Sequence, residues 1–224
     1  MKPIEIAETL KQSGIVPVFN HDDGTTAIRV ITACYDAGLR VFEWTNRGGN
    51  AFDVFIRIAS HVKEKMPDMI VGVGSVFESE TARKYVARGA KFVVSPVLDP
   101  DLARTCKQMG VLWIPGTGTT TEINQASKWG AEIIKVFPGN AAGGPSFVKA
   151  VLGPMPHVQL MPTGGVSTDK ENLSAWFDAG VCCVGIGSKL FTKDLVEDED
   201  AGRLIEEIKQ TINKIQDARH KILQ

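Results

Sequence analysis

Ala37-Gly-Leu-Arg-Val-Phe-Glu-Trp-Thr-Asn46 is the stretch whose reading decides the fold. An amphipathic run beginning at Thr25 stops at Ala37-Gly38, where glycine supplies the left-handed backbone that closes a helix. An apolar, β-branched and aromatic run, Arg40 to Thr45, then begins almost at once and reads as a buried strand. The same junction recurs at Arg88-Gly89, Met109-Gly110, Trp129-Gly130 and Ala179-Gly180. One device repeated along a chain implies one repeated unit, a helix closed by glycine and followed by a strand.

Outward from this junction, eight strand-like runs are predicted: Ile15 to Phe19, Arg40 to Thr45, Met69 to Val76, Lys91 to Ser95, Val111 to Pro115, Ile133 to Phe137, Val158 to Pro162 and Val181 to Ile186. Amphipathic segments separate them: Thr25 to Ala37, Ala51 to Lys65, Ser79 to Arg88, Pro100 to Gln108, Thr120 to Trp129, Pro145 to Val151 and Thr168 to Ala179. Strand and helix alternating in this way is the signature of βα units on a parallel sheet. Eight units close most naturally into a (β/α)8 TIM barrel, with a first helix, Ile4 to Gln12, covering the bottom and a last helix running from Ala201 towards Lys221. An open doubly wound sheet is the alternative, weakened because no Gly-x-Gly-x-x-Gly follows the first strand.

At 224 residues the chain is expected to form one domain over residues 1–224. The net charge is −1, and its lysines and arginines are scattered among acids, which argues against a nucleic-acid or anionic-membrane surface. No apolar run is long enough to span a bilayer, and Met1 to Leu10 lacks the apolar core of a signal peptide, so a soluble cytoplasmic protein is expected. Cys34, Cys106, Cys182 and Cys183 form no Cys-x-x-Cys pair and read as small core hydrophobes in a reducing compartment. His21, His61, His157 and His220 lack ligand spacing, which argues against a zinc site but leaves a carboxylate-held hard cation open. Trp44, Trp113, Trp129 and Trp176 are expected between strands and helices, and the acidic stretch Asp194 to Asp200 as a solvated loop.

The chemistry points to two charges in apolar strands. Glu132-Ile-Ile-Lys-Val-Phe-Pro-Gly139 buries Lys135, and burial lowers a lysine pKa towards the free amine that attacks carbonyls. Glu43 interrupts the Arg40 to Thr45 run in the same way. Lone buried charges are unfavourable, so two of opposite sign on separate strands are expected to meet. Period-two geometry puts Val41, Glu43 and Thr45 on one face and Ile133, Lys135 and Phe137 on another. A structural ion pair, or a lysine at a strand mouth with its ammonium in water, fits the same residues. Arg47, Ser75, Pro96 and Thr163 all follow or end strands, which puts them at the rim where barrel enzymes carry their active groups. Thr163-Gly164-Gly165 and Gly185-Ile-Gly187-Ser188 fall in the last two strand-to-helix loops, where backbone N–H groups often receive phosphate; ordinary tight turns would use the same glycines.

These motifs together resemble the 2-keto-3-deoxy-6-phosphogluconate (KDPG) and 4-hydroxy-2-oxoglutarate (KHG) aldolase family. The resemblance spans nearly the whole chain, through Val41-Phe-Glu-Trp-Thr-Asn-Arg47, Val71-Gly-Val-Gly-Ser-Val76, Val94-Ser-Pro96, Trp113-Ile-Pro-Gly116, Ile134-Lys-Val-Phe-Pro138, Pro162-Thr-Gly-Gly-Val166 and Gly185-Ile-Gly-Ser188. It implies a class I aldolase on a (β/α)8 barrel, with Lys135 as Schiff-base lysine and Glu43 as general acid/base. Arg47 and Ser75, beside Pro96, would bind the keto-acid end, and Thr163, Gly164, Gly165, Gly187 and Ser188 the distal phosphate. It further implies a homotrimer, no metal or other cofactor, and small-molecule partners: a 2-keto acid cleaved to pyruvate and a phosphorylated aldehyde, with KHG, cleaved to pyruvate and glyoxylate, as a further substrate. The chain departs from the family where Asn20-His21 follow the first strand in place of a common arginine, where Ser75 replaces threonine, and where Val97 replaces glycine. The galactonate-type aldolase, a phosphosugar isomerase or epimerase using Glu43 as base, and a non-catalytic sugar-phosphate binder are the competing readings.

Overall fold

The computed structural model describes residues 1–220, in which helix and strand alternate as α1 (Pro3–Ser13), β1 (Ile15–Phe19), α2 (Gly24–Asp36), β2 (Val41–Thr45), α3 (Ala51–Lys65), β3 (Ile70–Gly74) and α4 (Ser79–Ala87). There follow β4 (Phe92–Val94), α5 (Pro100–Met109), β5 (Leu112–Ile114), β6 (Gly116–Thr117), α6 (Thr120–Lys128), β7 (Ile134–Val136) and α7 (Gly144–Leu152). The last elements are β8 (Leu160–Pro162), α8 (Lys170–Asp178), β9 (Val184–Ile186), α9 (Lys193–Glu197) and α10 (Gly202–His220). The expected C-terminal helix is therefore present to His220, while Lys221 lies outside the described residues.

All strand pairs are parallel, in a six-stranded sheet ordered β5-β4-β3-β2-β1-β9, curled into a half-barrel, and a three-stranded sheet ordered β6-β7-β8. An isolated parallel bridge joins Thr163, just after β8, to Gly185 in β9. Only Pro115 separates β5 from β6 along the chain. The result is an α/β fold with parallel strands, and the open doubly wound alternative loses ground to the curl.

Alternate strand residues feed two cores, as a period of two requires. Phe42, Trp44, Val71, Val73, Ile134 and Val136 face the helices in the larger cluster. Val16, Val41, Ile70, Phe92, Ile133 and Met161 face inward in a smaller cluster drawn from both sheets. Ile6, Ala7 and Leu10 of α1 join this inner cluster and close it from the N-terminal ends of the strands, as expected of the first helix. The tryptophans sit as the sequence implied: Trp44, Trp113 and Trp176 are buried in the outer core, with Trp129 packed against it. Cys34, Cys106 and Cys183 are buried free thiols, and burial pushes Cys106 up to about 12, well away from nucleophilic use at neutral pH.

The glycines after the helices have the expected left-handed backbone, for example φ 65° at Gly110 closing α5. Three readings need correction. The regular strands are shorter than the apolar runs; Met69 to Val76 contracts to Ile70–Gly74 because Ser75, at φ 57°, turns the chain out of the sheet. The pair Gly116–Thr117 forms an extra short strand, too brief to show a period. The acidic stretch is not all loop, because Lys193–Glu197 is helical with Val196 buried, and Arg29 of α2 donates to the carbonyls of Val196, at 2.6 Å, and Asp198.

Candidate active site

The C-terminal ends of the strands surround a cavity of about 670 Å³. Lys135 and Glu43 both reach it, from β7 and β2, on the face that carries the inner core one turn of the pleat below. Both are buried, Glu43 to 1 % and Lys135 to 6 % exposure. Room for the carboxylate comes from β3, where Gly74 lacks a side chain; a methyl group there would overlap Glu43 Oε1. At Gly72, directly opposite Glu43 in the ladder, the vacated space holds the Phe92 ring, which seals the floor.

Burial raises the Glu43 pKa above its ordinary value, because desolvation disfavours the carboxylate, while the charge of Lys135 pulls it part of the way back. Glu43 Oε2 is buried with no hydrogen-bond partner, and so is Thr163 Oγ1, which occupies the space beside Gly185. An orphaned buried oxygen is unfavourable in a finished fold and expected in a site that completes itself with a ligand or water. Lys135 Nζ lies 4.9 Å from the centre of the Phe137 ring.

The remaining rim residues divide around the mouth. Arg47, exposed in the loop after β2, Ser75 after β3 and Pro96 after β4 line one side. Ser75 holds a left-handed backbone that disfavours any residue but glycine, a strain of the kind that accumulates at functional positions. Gly164 and Gly165 after β8, with φ 87° and 83°, and Gly187 and Ser188 after β9 line the other side. All ten residues singled out in the sequence thus border one cavity.

Others there were not singled out. Phe137 shares the face of Lys135, a relation the period-two reading already contained. Asn140 fills the space beside Gly165 that any side chain at that position would take, a contact between loops that sequence spacing does not reveal. Asn20, noted in the sequence only as a departure from the family, also reaches the cavity, as do Ser167, Asp169 and Lys189, which lie in the phosphate-assigned loops but were given no role themselves. Among the described residues, no group of three or more His, Cys, Asp or Glu side chains is placed to hold a metal ion, and no helix is long and apolar enough to cross a membrane. A buried amine and a buried carboxyl lining one cavity, close enough for the charge of Lys135 to act on Glu43, can add to a ketone and move the protons that such an addition requires.

Residues 6–207 match the family model for KDPG and KHG aldolase. The chain belongs to that aldolase family. Relatives within it include the 2-dehydro-3-deoxy-phosphogluconate aldolase of Pseudoalteromonas atlantica, 35% identical over 92% of this chain and 93% of that protein. The KHG/KDPG aldolase of Escherichia coli K12 is 32% identical over 88% of this chain and 91% of that protein. Among solved structures, the KDPG aldolase of Legionella pneumophila superposes with a TM-score of 0.83 at 26% identity, covering 92% of this chain and 97% of that one. That aldolase was captured with pyruvate as a covalent carbinolamine intermediate.

Proposed function

We propose that this chain is a class I aldolase that cleaves 2-dehydro-3-deoxy-6-phosphogluconate to pyruvate and glyceraldehyde 3-phosphate, with Lys135 as the Schiff-base lysine and Glu43 as the general acid/base. The observation that carries it is a buried amine and a buried carboxyl with an orphaned oxygen lining one cavity, in a chain of this family. Lys135 Nζ adds to the C2 ketone to give a carbinolamine, and Glu43 in its acid form protonates the departing hydroxyl as the iminium forms. Glu43, now a carboxylate, takes the C4 hydroxyl proton, directly or through a water. The C3–C4 bond then breaks, and its electron pair is stored as the enamine. The aldehyde leaves, the enamine is protonated at C3, and water hydrolyses the imine to release pyruvate. A raised carboxyl pKa suits a group that must hold and yield a proton in one cycle.

Arg47 offers a planar fork for the keto-acid carboxylate, alongside the Ser75 hydroxyl and Pro96. Thr163, Gly164, Gly165, Gly187 and Ser188 form the distal end, where backbone N–H groups receive the phosphate. The two sheets are read as one closed (β/α)8 barrel in a single domain, on the support of the Thr163–Gly185 bridge, the near-continuity of β5 with β6 and the inner core shared by both sheets. A cytoplasmic homotrimer is the accompanying expectation, supported by family likeness and by cysteines that are all free thiols.

The test is pyruvate release, coupled to lactate dehydrogenase, from 2-dehydro-3-deoxy-6-phosphogluconate, its galactonate epimer and 4-hydroxy-2-oxoglutarate in parallel. Turnover highest on the first supports the proposal. Turnover highest on another of the three reassigns the substrate within the same chemistry, and turnover on none of them removes the aldolase reading.

A further inference from the structure

The cavity wall after β9, which β1 separates from the β2 loop of Arg47, carries a charge that none of the roles above uses. Lys189 follows Ser188 in the loop after β9, and its side chain is exposed and lines the cavity. Among the described residues, three cations reach this cavity, Lys135, Arg47 and Lys189. The first two stand on the side of the ketone and its carboxylate, which leaves Lys189 as the cation of the distal side. Among the described residues it makes no ion pair, every salt bridge being formed by other side chains.

We propose that Lys189 selects substrates bearing a phosphate at the end remote from the ketone, making it a specificity-determining residue of this aldolase. The inference rests on the aldolase reading above and assigns it a selectivity filter. Strand register explains why this position can do so. Pro17 of β1 is directly opposite Ile186 of β9, so three residues further on Asn20 and Lys189 leave adjacent strands at the same height, and both line the cavity. Asn20 offers that wall a neutral dipole, and Lys189 offers it a full charge.

The same wall holds an opposing charge that makes the lysine necessary. Asp169, at the N-cap of α8, lines the cavity and accepts a hydrogen bond from Ser167 Oγ at 2.7 Å. A phosphate monoester carries nearly two negative charges at neutral pH, and beside a carboxylate it is tolerated only with a cation between or beside them. Backbone N–H groups of the glycine loops supply direction but no net charge. Without Lys189 the phosphate would face Asp169 with only dipoles for support.

The test uses the full-length protein and three variants: Lys189→Gln, Lys189→Arg, and Lys189→Gln combined with Asn20→Arg. The readout is the ratio of kcat/KM on 2-dehydro-3-deoxy-6-phosphogluconate to that on its unphosphorylated counterpart, with calorimetric binding of glycerol 3-phosphate as a measurement independent of turnover. Lys189→Gln is expected to lower the ratio by roughly 10- to 100-fold, the size of one charge-assisted hydrogen bond, and to weaken glycerol 3-phosphate to a similar degree. Lys189→Arg is expected to keep most of the ratio. Asn20→Arg in the Gln background is expected to restore it, because the charge returns to the neighbouring strand at the same level. A ratio unchanged in Lys189→Gln, or an equal loss on both substrates, overturns the proposal, as does a native protein that favours the unphosphorylated substrate. If native protein fails to trap pyruvate on borohydride reduction, the aldolase reading fails separately, and the glycerol 3-phosphate arm still decides whether Lys189 holds a phosphate.

Discussion

The two ends of the same parallel strands are built on opposite principles. At the N-terminal end the inward positions are Val16, Val41, Ile70 and Ile133, packed to completion by Ile6, Ala7 and Leu10 of α1. One pleat further along, at the C-terminal end, the same faces carry Glu43 and Lys135, with oxygens of Glu43 and Thr163 left without partners. Glycine changes meaning between the ends as well: Gly110 gives backbone freedom for a cap with open space around it, whereas Gly74 gives up volume that Glu43 occupies. The closed, apolar end holds the fold together, and the open, under-satisfied end is free to do chemistry at the expense of stability.

Substitutions at the two ends should therefore separate activity from stability. The largest effect is expected for Lys135→Ala, with cleavage reduced to the uncatalysed background while circular dichroism keeps its native form. Glu43→Gln is expected to slow turnover by on the order of 10² to 10⁴. The same variant should report on stability in the opposite sense. A carboxyl whose pKa is raised by folding stabilises the fold fully below its ordinary value of 4.5, and that contribution is lost as pH rises through the folded value. The Tm of Glu43→Gln relative to native protein is thus expected to climb as pH goes from about 4 to about 8, and a flat difference would show that the carboxyl is not strained by burial.

Leu10→Ala, at the other end, is expected to remove about 2–5 kcal/mol of stability, measured by urea unfolding, with kcat intact well below Tm. Gly74→Ala tests the boundary between the regimes: displacement of the carboxylate should lower kcat by on the order of 10²-fold, with an overpacking loss of about 1–3 kcal/mol. The smallest effect is expected for Gly110→Ala, about 1–2 kcal/mol from forcing an alanine into left-handed backbone, with no change in kcat. A fall in kcat there would blur the division between the two ends.

What could be read from the sequence follows the same division. Glycine caps and apolar runs are local signals, so the order of strands and helices was visible, as were Lys135 and Glu43, which stand out as charges in apolar strands. The short strand Gly116–Thr117 was invisible because two residues carry no period. The helix Lys193–Glu197 was hidden within an acidic run, and its stabilising contacts come from Arg29, more than 160 residues away in the chain. Asn140 and Lys189 escaped notice for a related reason, and Asn20 was noted only as a departure from the family. The position of each in the site follows from strand register or from a neighbouring glycine rather than from sequence spacing.

The most direct measurement of the central claim is borohydride reduction of the native protein in the presence of pyruvate, followed by peptide mapping by mass spectrometry. The expected result is one reduced pyruvate adduct per chain, carried by the peptide that contains Lys135 and missing from Lys135→Ala. An adduct on a different lysine, or none with native protein that is folded and intact, would contradict it.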